Sequence, residues 1–205
     1  MRWIILSACM LFLNACVDVK IVSSIDKITY FNLYNPQSFE NAKTCKKISK
    51  LAMFDIYANA PYDNSNIYIF NMQTLQVDTL FAKKWISSPK DMLKMALLLK
   101  AQEQCFELST PPFGTQKIHK ALKLSLLSLQ ILNDKGSYKA QVSVFYEIMD
   151  MKTHQNKSGM IESLVPLDSI NDEYIALGFA KASDEILKQL LKVLEAYQRI
   201  IDIML

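Results

Sequence analysis

Thiols, imidazoles, paired carboxylates and closely spaced glycines are the groups from which most site chemistry is built. The chain of 205 residues carries four cysteines and two histidines. Cys9, Cys16, Cys45 and Cys105 form no Cys-x-x-Cys pair, and neither His119 nor His154 has a second ligand at metal spacing. Both histidines read as surface residues, and no metal is expected. The four glycines stand at 114, 136, 159 and 178, never closer than 19 residues. That spacing excludes the dinucleotide fingerprint, the phosphate-cradling P-loop and the nucleophile elbow, which all need glycines close together. Carboxylates are scattered, so no pair stands out as acid and base. The expectation is a protein that is not an enzyme and needs no cofactor. The formal net charge is +3 with both signs spread along the chain. No basic stripe points to nucleic acid.

One thiol has a context of its own. The chain opens Met1-Arg2 and continues without a charge from Trp3 to Phe12. A basic start before an apolar run is the layout of an export signal. The run is too short for a membrane span, which takes roughly 20 apolar residues. It leads into Leu13-Asn14-Ala15-Cys16, which resembles the lipobox read by the lipoprotein signal peptidase. A diacylglycerol joins the sulfur there before cleavage frees the amine of Cys16. The alternative is an ordinary secreted protein cleaved after Ala15 with a bare thiol. The expected organisation is a signal peptide over 1–15, a lipidated tether over 16–26 and one periplasmic domain over 27–205. A mature body of about 175 residues suffices for one domain and buries about 70% of its unfolded surface. Val17 follows the cysteine, with Asp18 one place later. Aspartate directly after the cysteine would signal retention at the inner membrane, so the outer membrane, facing the periplasm, is the expected location. In an oxidising compartment Cys45 and Cys105 form either a disulfide or two separate buried thiols.

The body must supply its own framework. Ile28–Tyr34 reads as a first strand stopped by Asn35-Pro36, and Ile48–Tyr57 as a second. Ile67–Phe70 and Leu75–Leu80 read as a hairpin. Ser88-Pro89-Lys90-Asp91 announces a helix, with Ser88 as cap, Pro89 at the first position and Asp91 favouring the dipole. Met92, Leu93, Ala96 and Leu97 then follow at helical spacing to an end near Gln104. A short strand spans Cys105–Leu108. Leu122, Leu124 and Leu126 alternate with polar residues, then the phase switches to Leu127, Leu129 and Ile131, which predicts a bulge. Asn133–Gly136 is a turn, and Tyr138 to Ile148 returns in clean alternation. A polar loop over His154–Gly159 leads to a strand Met160–Val165 ended by Pro166. Ser169 or Asn171 caps a long last helix whose apolar positions, Ile175 to Met204, average the 3.6 period. Near its end that arc is wide enough either for deep burial or for docking a partner.

This order of parts resembles the ABC-type transport auxiliary lipoproteins, which accompany lipid-transport systems built around MCE-domain proteins. The resemblance rests on a lipidated cysteine and a Tyr-x-Leu strand, here Tyr30 to Leu33. It continues with a hairpin around Ile67–Phe70, then Trp85, then Ser88-Pro89-Lys90-Asp91-Met92-Leu93, and an alternating hairpin and long helix over Lys120 to Tyr197. The sparse glycine and the polar stretch Thr44 to Ser49 depart from it. The resemblance implies an α+β two-layer sandwich: a mixed, mostly antiparallel sheet with two helices packed on one face. It gives Trp85, Pro89, Met92 and Leu93 a structural or docking role.

The function it implies is that of an accessory lipoprotein docked on the periplasmic parts of an ABC/MCE transporter that moves phospholipid between membranes. Its partners would be the MCE-domain and ABC transporter subunits and the membrane holding the lipid. Bound phospholipid and a homo-oligomer stay open. A second reading is an outer-membrane assembly or structural lipoprotein holding a β-barrel; a third is a lipidated hydrolase.

Overall fold

The structure, a computed structural model, describes residues 27–35, 45, 47–115 and 117–204, with backbone alone from 200 onward. The lipobox residues Leu13, Asn14, Ala15 and Cys16, and the tether after them, lie outside the described residues.

The strongest alternation in the sequence builds the centre. Strand β7 (Lys120–Asp134) buries Leu122, Leu124 and Leu126, slips by one residue at Leu127, and buries Leu129 and Ile131 on the same face. The expected bulge is therefore present, and it turns Leu127 out to solvent. Lys135 and Gly136 both have positive φ and close a two-residue hairpin, with the Gly136 N–H donating to Asn133 Oδ1. Strand β8 (Ser137–Asp150) returns along the whole of β7, burying Ala140, Val142, Val144, Tyr146 and Ile148.

Strand β9 (Gln155–Leu167) then pairs with β8 throughout. It begins where a polar loop was expected, because the four-residue turn Met151–His154 lets pairing start at once. Pro166 does not end it, since an edge strand tolerates a residue without an N–H. The turn is organised by buried Asp150, whose Oδ1 accepts the backbone N–H groups of Lys152 and Thr153 at 2.8 and 2.9 Å.

The other edge of β7 is shared. Strands β2 (Ser49–Met53), β3 (Tyr57–Ala58) and β4 (Asn66–Asn71) pair with it one after another, all parallel. The sequence read β2 and β3 as one strand; residues 54–56 leave the ladder between them. The sheet then forks. Strand β5 (Val77–Trp85) continues antiparallel beyond β4, followed by β1 (Thr29–Phe31), while β6 (Phe106–Ser109) continues beyond β2. The fold is α+β with a nine-stranded mixed sheet. Its two long ladders are antiparallel, yet five of the eight strand pairings among the described residues are parallel.

Helix α1 (Pro89–Glu103) and helix α2 (Asp172–Met204) join one continuous core with the sheet. Helix α1 buries Met92, Leu93, Ala96, Leu97 and Ala101. Ser88 stands at its N-cap but its side chain makes no capping bond: the Asp91 and Met92 N–H groups donate to the Ser88 carbonyl, and Oγ is buried without a partner among the described residues. Pro89 and Asp91 are left to start the helix. Asn171 caps α2, its Oδ1 accepting the Tyr174 N–H at 3.0 Å. Lys100 of α1 pairs with Asp184 of α2 at 3.3 Å, and Lys188 pairs with the same carboxylate. Burial opposes ionisation of Asp184, but the bond to Lys188 and the charge of Lys100 outweigh it and hold the carboxyl below its usual range.

Gly178 is where α2 approaches the sheet most tightly, since a Cβ there would overlap Leu167 Cδ2 and touch Ala140 Cβ. Gly178→Ala is expected to destabilise by about 1–3 kcal/mol in chemical denaturation, because the packed layer must shift. Asp150 gives a pH-dependent outcome. Burial raises its pKa, but the Thr153 and Lys152 N–H groups outweigh burial and leave it lowered. A lowered folded pKa adds stability in full above the unfolded value, about 3.9, and that stability fades as pH falls through the folded value. Asp150→Asn should lower stability at pH 7 by about 1.5–3 kcal/mol. The gap from the unchanged protein should shrink in acid; an equal gap at both pH values would refute this account.

Candidate functional site

The segment that carries the family resemblance is interior. Trp85 is 1% exposed, its ring meeting Phe179 edge-on at 5.0 Å and Phe31 at 6.4 Å. Such aromatic pairs add about 0.5–1.5 kcal/mol beyond the burial itself. Trp85 Nε1 has no hydrogen-bond partner among the described residues, while the Trp85 backbone N–H donates to the Ser65 carbonyl at 2.7 Å. Pro89, Met92 and Leu93 are buried on α1. Trp85 joins β5 to α2 through Phe179, Met92 and Leu93 lie in the same core cluster, and all four side chains are buried. The apolar arc of α2 is likewise buried as far as Tyr197, which donates its hydroxyl to the Gln155 carbonyl at 3.2 Å. Ile200, Ile201 and Met204 lie beyond the described side chains.

Cys45 and Cys105 form a disulfide with Cα atoms 5.6 Å apart. It ties the chain ahead of β2 to the junction of α1 and β6, beside the Ser49 N–H bond to the Cys105 carbonyl at 3.0 Å. The bridge thus clamps the end of the short parallel β2–β6 ladder. His119 and His154 are exposed, and no group of three or more metal-ligating side chains occurs among the described residues. On the face of the sheet away from the helices a polar row is internally satisfied. Tyr62 donates to Gln130 at 2.5 Å, Gln130 to Gln141 at 2.8 Å, and Gln141 to Glu162 at 2.6 Å, where Ser143 also donates. Burial and neighbouring Tyr68 push the Tyr62 hydroxyl pKa up, which keeps it a donor. These bonds spend the row's groups on one another.

What remains for contact is surface, and its apolar part is uneven. The most exposed large apolar side chains among the described residues are Phe81, at 78%, and Leu75, at 72%. Both belong to the β4–β5 hairpin, with exposed Met72 and Val77 beside Leu75. The sequence placed Leu75 in the returning strand. It sits instead in the turn with φ +59°, and the ladder begins at Val77. Phe81 stands on a wide bulge, where Asn66 pairs Lys84 but Tyr68 pairs Thr79. Burying a Leu or Phe side chain is worth about 1.5–3 kcal/mol, so holding two in water forgoes a contact the fold does not make for itself. The signal available in the sequence was a turn flanked by apolar residues. At the opposite end of β7, an open cleft of about 340 Å³ is lined by Lys50, Glu107, Lys117, His119 and Lys120 around Phe113 and Ile118, with Lys50 paired to Glu107 at 3.4 Å.

Replacing both Cys45 and Cys105 by alanine should cost about 4 kcal/mol, the loop-closure value for a ring of this length. Equilibrium unfolding under oxidising conditions measures it, and a loss under 1 kcal/mol would mean the bridge constrains little.

No family model matches the chain, and no curated protein matches it either. Among solved structures the chain is similar to a Xanthomonas campestris protein of family DUF330, with TM-score 0.62 and 12% identity over 81% of this chain and 91% of that one. An uncharacterised protein aligns with TM-score 0.57 and 12% identity over 80% and 99% of the two chains. A hypothetical protein from Chlamydia trachomatis aligns with TM-score 0.53 and 8% identity over 73% and 97%. At such identities the likeness is one of fold, and this chain shares its α+β sandwich with these three proteins.

Proposed function

We propose that this chain is a membrane-anchored accessory lipoprotein of an ABC/MCE-type transport system, docking on the periplasmic components to support passage of phospholipid between membranes. The observation that carries it is Leu13-Asn14-Ala15-Cys16, standing eleven residues ahead of Lys27, where the described body begins. An acylated Cys16 makes the body a fixture at a surface, and more than one acyl chain makes the attachment stable. Other features support the reading. Among the described residues no helix is long and apolar enough to cross a membrane. The body has the fold seen in the DUF330 protein. The residues around Trp85 that resemble the auxiliary lipoproteins form the joint of the two layers. The body acts in this reading by binding, without catalysis, and Val17 after Cys16 favours the outer membrane.

The competing assembly reading draws on one observation. Among the described residues, strand β9 runs thirteen residues and pairs with β8 alone, leaving a long edge on which a strand of a β-barrel partner would add.

Mass spectrometry of the protein isolated from membranes should find Cys16 acylated at the mature amino terminus; a bare thiol there would sink the proposal. Pull-down from detergent-solubilised envelope should recover an MCE-domain protein, and repeated recovery of a β-barrel protein in its place would favour the assembly reading.

A further inference from the structure

We infer that the β4–β5 hairpin rests on the lipid bilayer to which the tether is fixed, so that Leu75 and Phe81 touch the membrane and the basic cleft is held away from it. This rests on the reading of Cys16 as the anchor and gives that anchor an orientation.

The topology sets one end of the molecule apart. Strand β1 runs parallel to β5, with Thr29 beside Lys83, so the chain ahead of Thr29 arrives from the side of the β4–β5 turn. Strand β4 runs parallel to β7 and brings Asn71 beside Asn133, which sets that turn next to the β7–β8 turn. The two turns are bonded together. The Met72 N–H donates to the Asn133 carbonyl at 3.0 Å, Gln73 Nε2 donates to Asp134 Oδ1 at 2.6 Å, and the Lys135 N–H donates to Gln73 Oε1 at 3.3 Å. The start of α2 is at the same end, where Lys83 pairs with Asp172. Exposed Leu177 stands on the second turn of that helix.

Reach and chemistry agree on the occupant. Eleven residues from Cys16 to Lys27 extend at most about 40 Å. Strand β7 alone, fifteen residues, is about 50 Å long. Through β5 and β4, Thr29 stands at about the level of Ser128 in β7, so a bilayer holding Cys16 is within reach of the hairpin end, and the direction of β1 and the exposed side chains choose that end over the cleft. The two most exposed apolar side chains are on this hairpin, Leu75 in its turn and Phe81 farther along β5 beside Ile67, and the hairpin is braced by its neighbour turn. Charges there are mixed, with Asp78, Asp134 and Asp172 among Lys83, Lys84 and Lys135. Attraction to anionic headgroups therefore contributes little. The contact is apolar and shallow, of the kind that enters the headgroup boundary by about 5–10 Å, and the tether keeps it in place.

The test uses the full, exported chain reconstituted in vesicles of phosphatidylethanolamine and phosphatidylglycerol with brominated acyl chains. Leu75→Trp and, as a second variant, Phe81→Trp introduce reporters on the hairpin; Met160→Trp, on β9, is the control. Bromine should quench the two hairpin reporters about two-fold or more, leave Met160→Trp and buried Trp85 unchanged, and do so equally at raised salt. Hairpin reporters quenched no more than Met160→Trp, in a chain that floats with the vesicles and carries acylated Cys16, would overturn the inference and leave the anchor standing. A bare Cys16 in a chain that does not float would overturn both.

Discussion

Fifteen consecutive residues of β7 must place every backbone N–H and C=O with a partner, because the strand runs through the middle of the sheet. Among the described residues one edge is served by β8. The other is filled in sequence by β2, β3 and β4, each parallel to β7. The fork in the sheet follows from that division. Strand β6 attaches to β2 and β5 to β4, and β1 follows on β5. Short parallel pairings are held weakly by their own bonds. The fold reinforces them from outside, with the Cys45–Cys105 bridge at one branch and the Phe31–Trp85–Phe179 contacts at the other.

The helix layer answers the same strand. Leu122, Leu124, Leu129 and Ile131 keep one apolar face across the bulge at Leu127, and α1 and α2 close over the core this face begins. The close approach at Gly178 brings α2 onto β8 and β9, and Trp85 meets Phe179 one residue further along. Trp85 is therefore the joint between β5 and the long helix. Its neighbours Pro89, Met92 and Leu93 extend the joint into α1.

In the proposed reading, function falls to the surfaces of the body and to its attachment. Its buried polar groups are largely committed to internal bonds, as in the row from Tyr62 to Glu162 or the turn around Asp150. Its ends differ in character: one carries exposed Leu75 and Phe81 beside the incoming chain, the other a cleft lined by lysines. A lipid at Cys16 would convert that difference into a direction relative to the membrane, with the far end and the β9 edge open to proteins.

Elements whose pattern is local were legible from the residues. The alternation and phase switch at Leu127, the Lys135-Gly136 turn, the start of α1 at Pro89 and the Asn171 cap of α2 all follow from nearest-neighbour sterics and hydrogen bonding. The α+β class was implied by the family resemblance, and the lipobox reading of Leu13–Cys16 rests on sequence alone. Tertiary structure decided the rest, because it depends on which distant segments meet. Residues 155–159 are polar and read as loop, yet they extend β9 because β8 offers them a ladder. Ser88 reads as a cap, but its Oγ is buried and has no partner among the described residues. Parallel pairing with β7 leaves no mark in sequence spacing, nor does the distance between two cysteines 60 residues apart. Whether Trp85 faced a partner or the core, and whether Leu75 and Phe81 were covered, depended on what the fold packs against them. Burial is a property of the assembled layers, and no single segment encodes it.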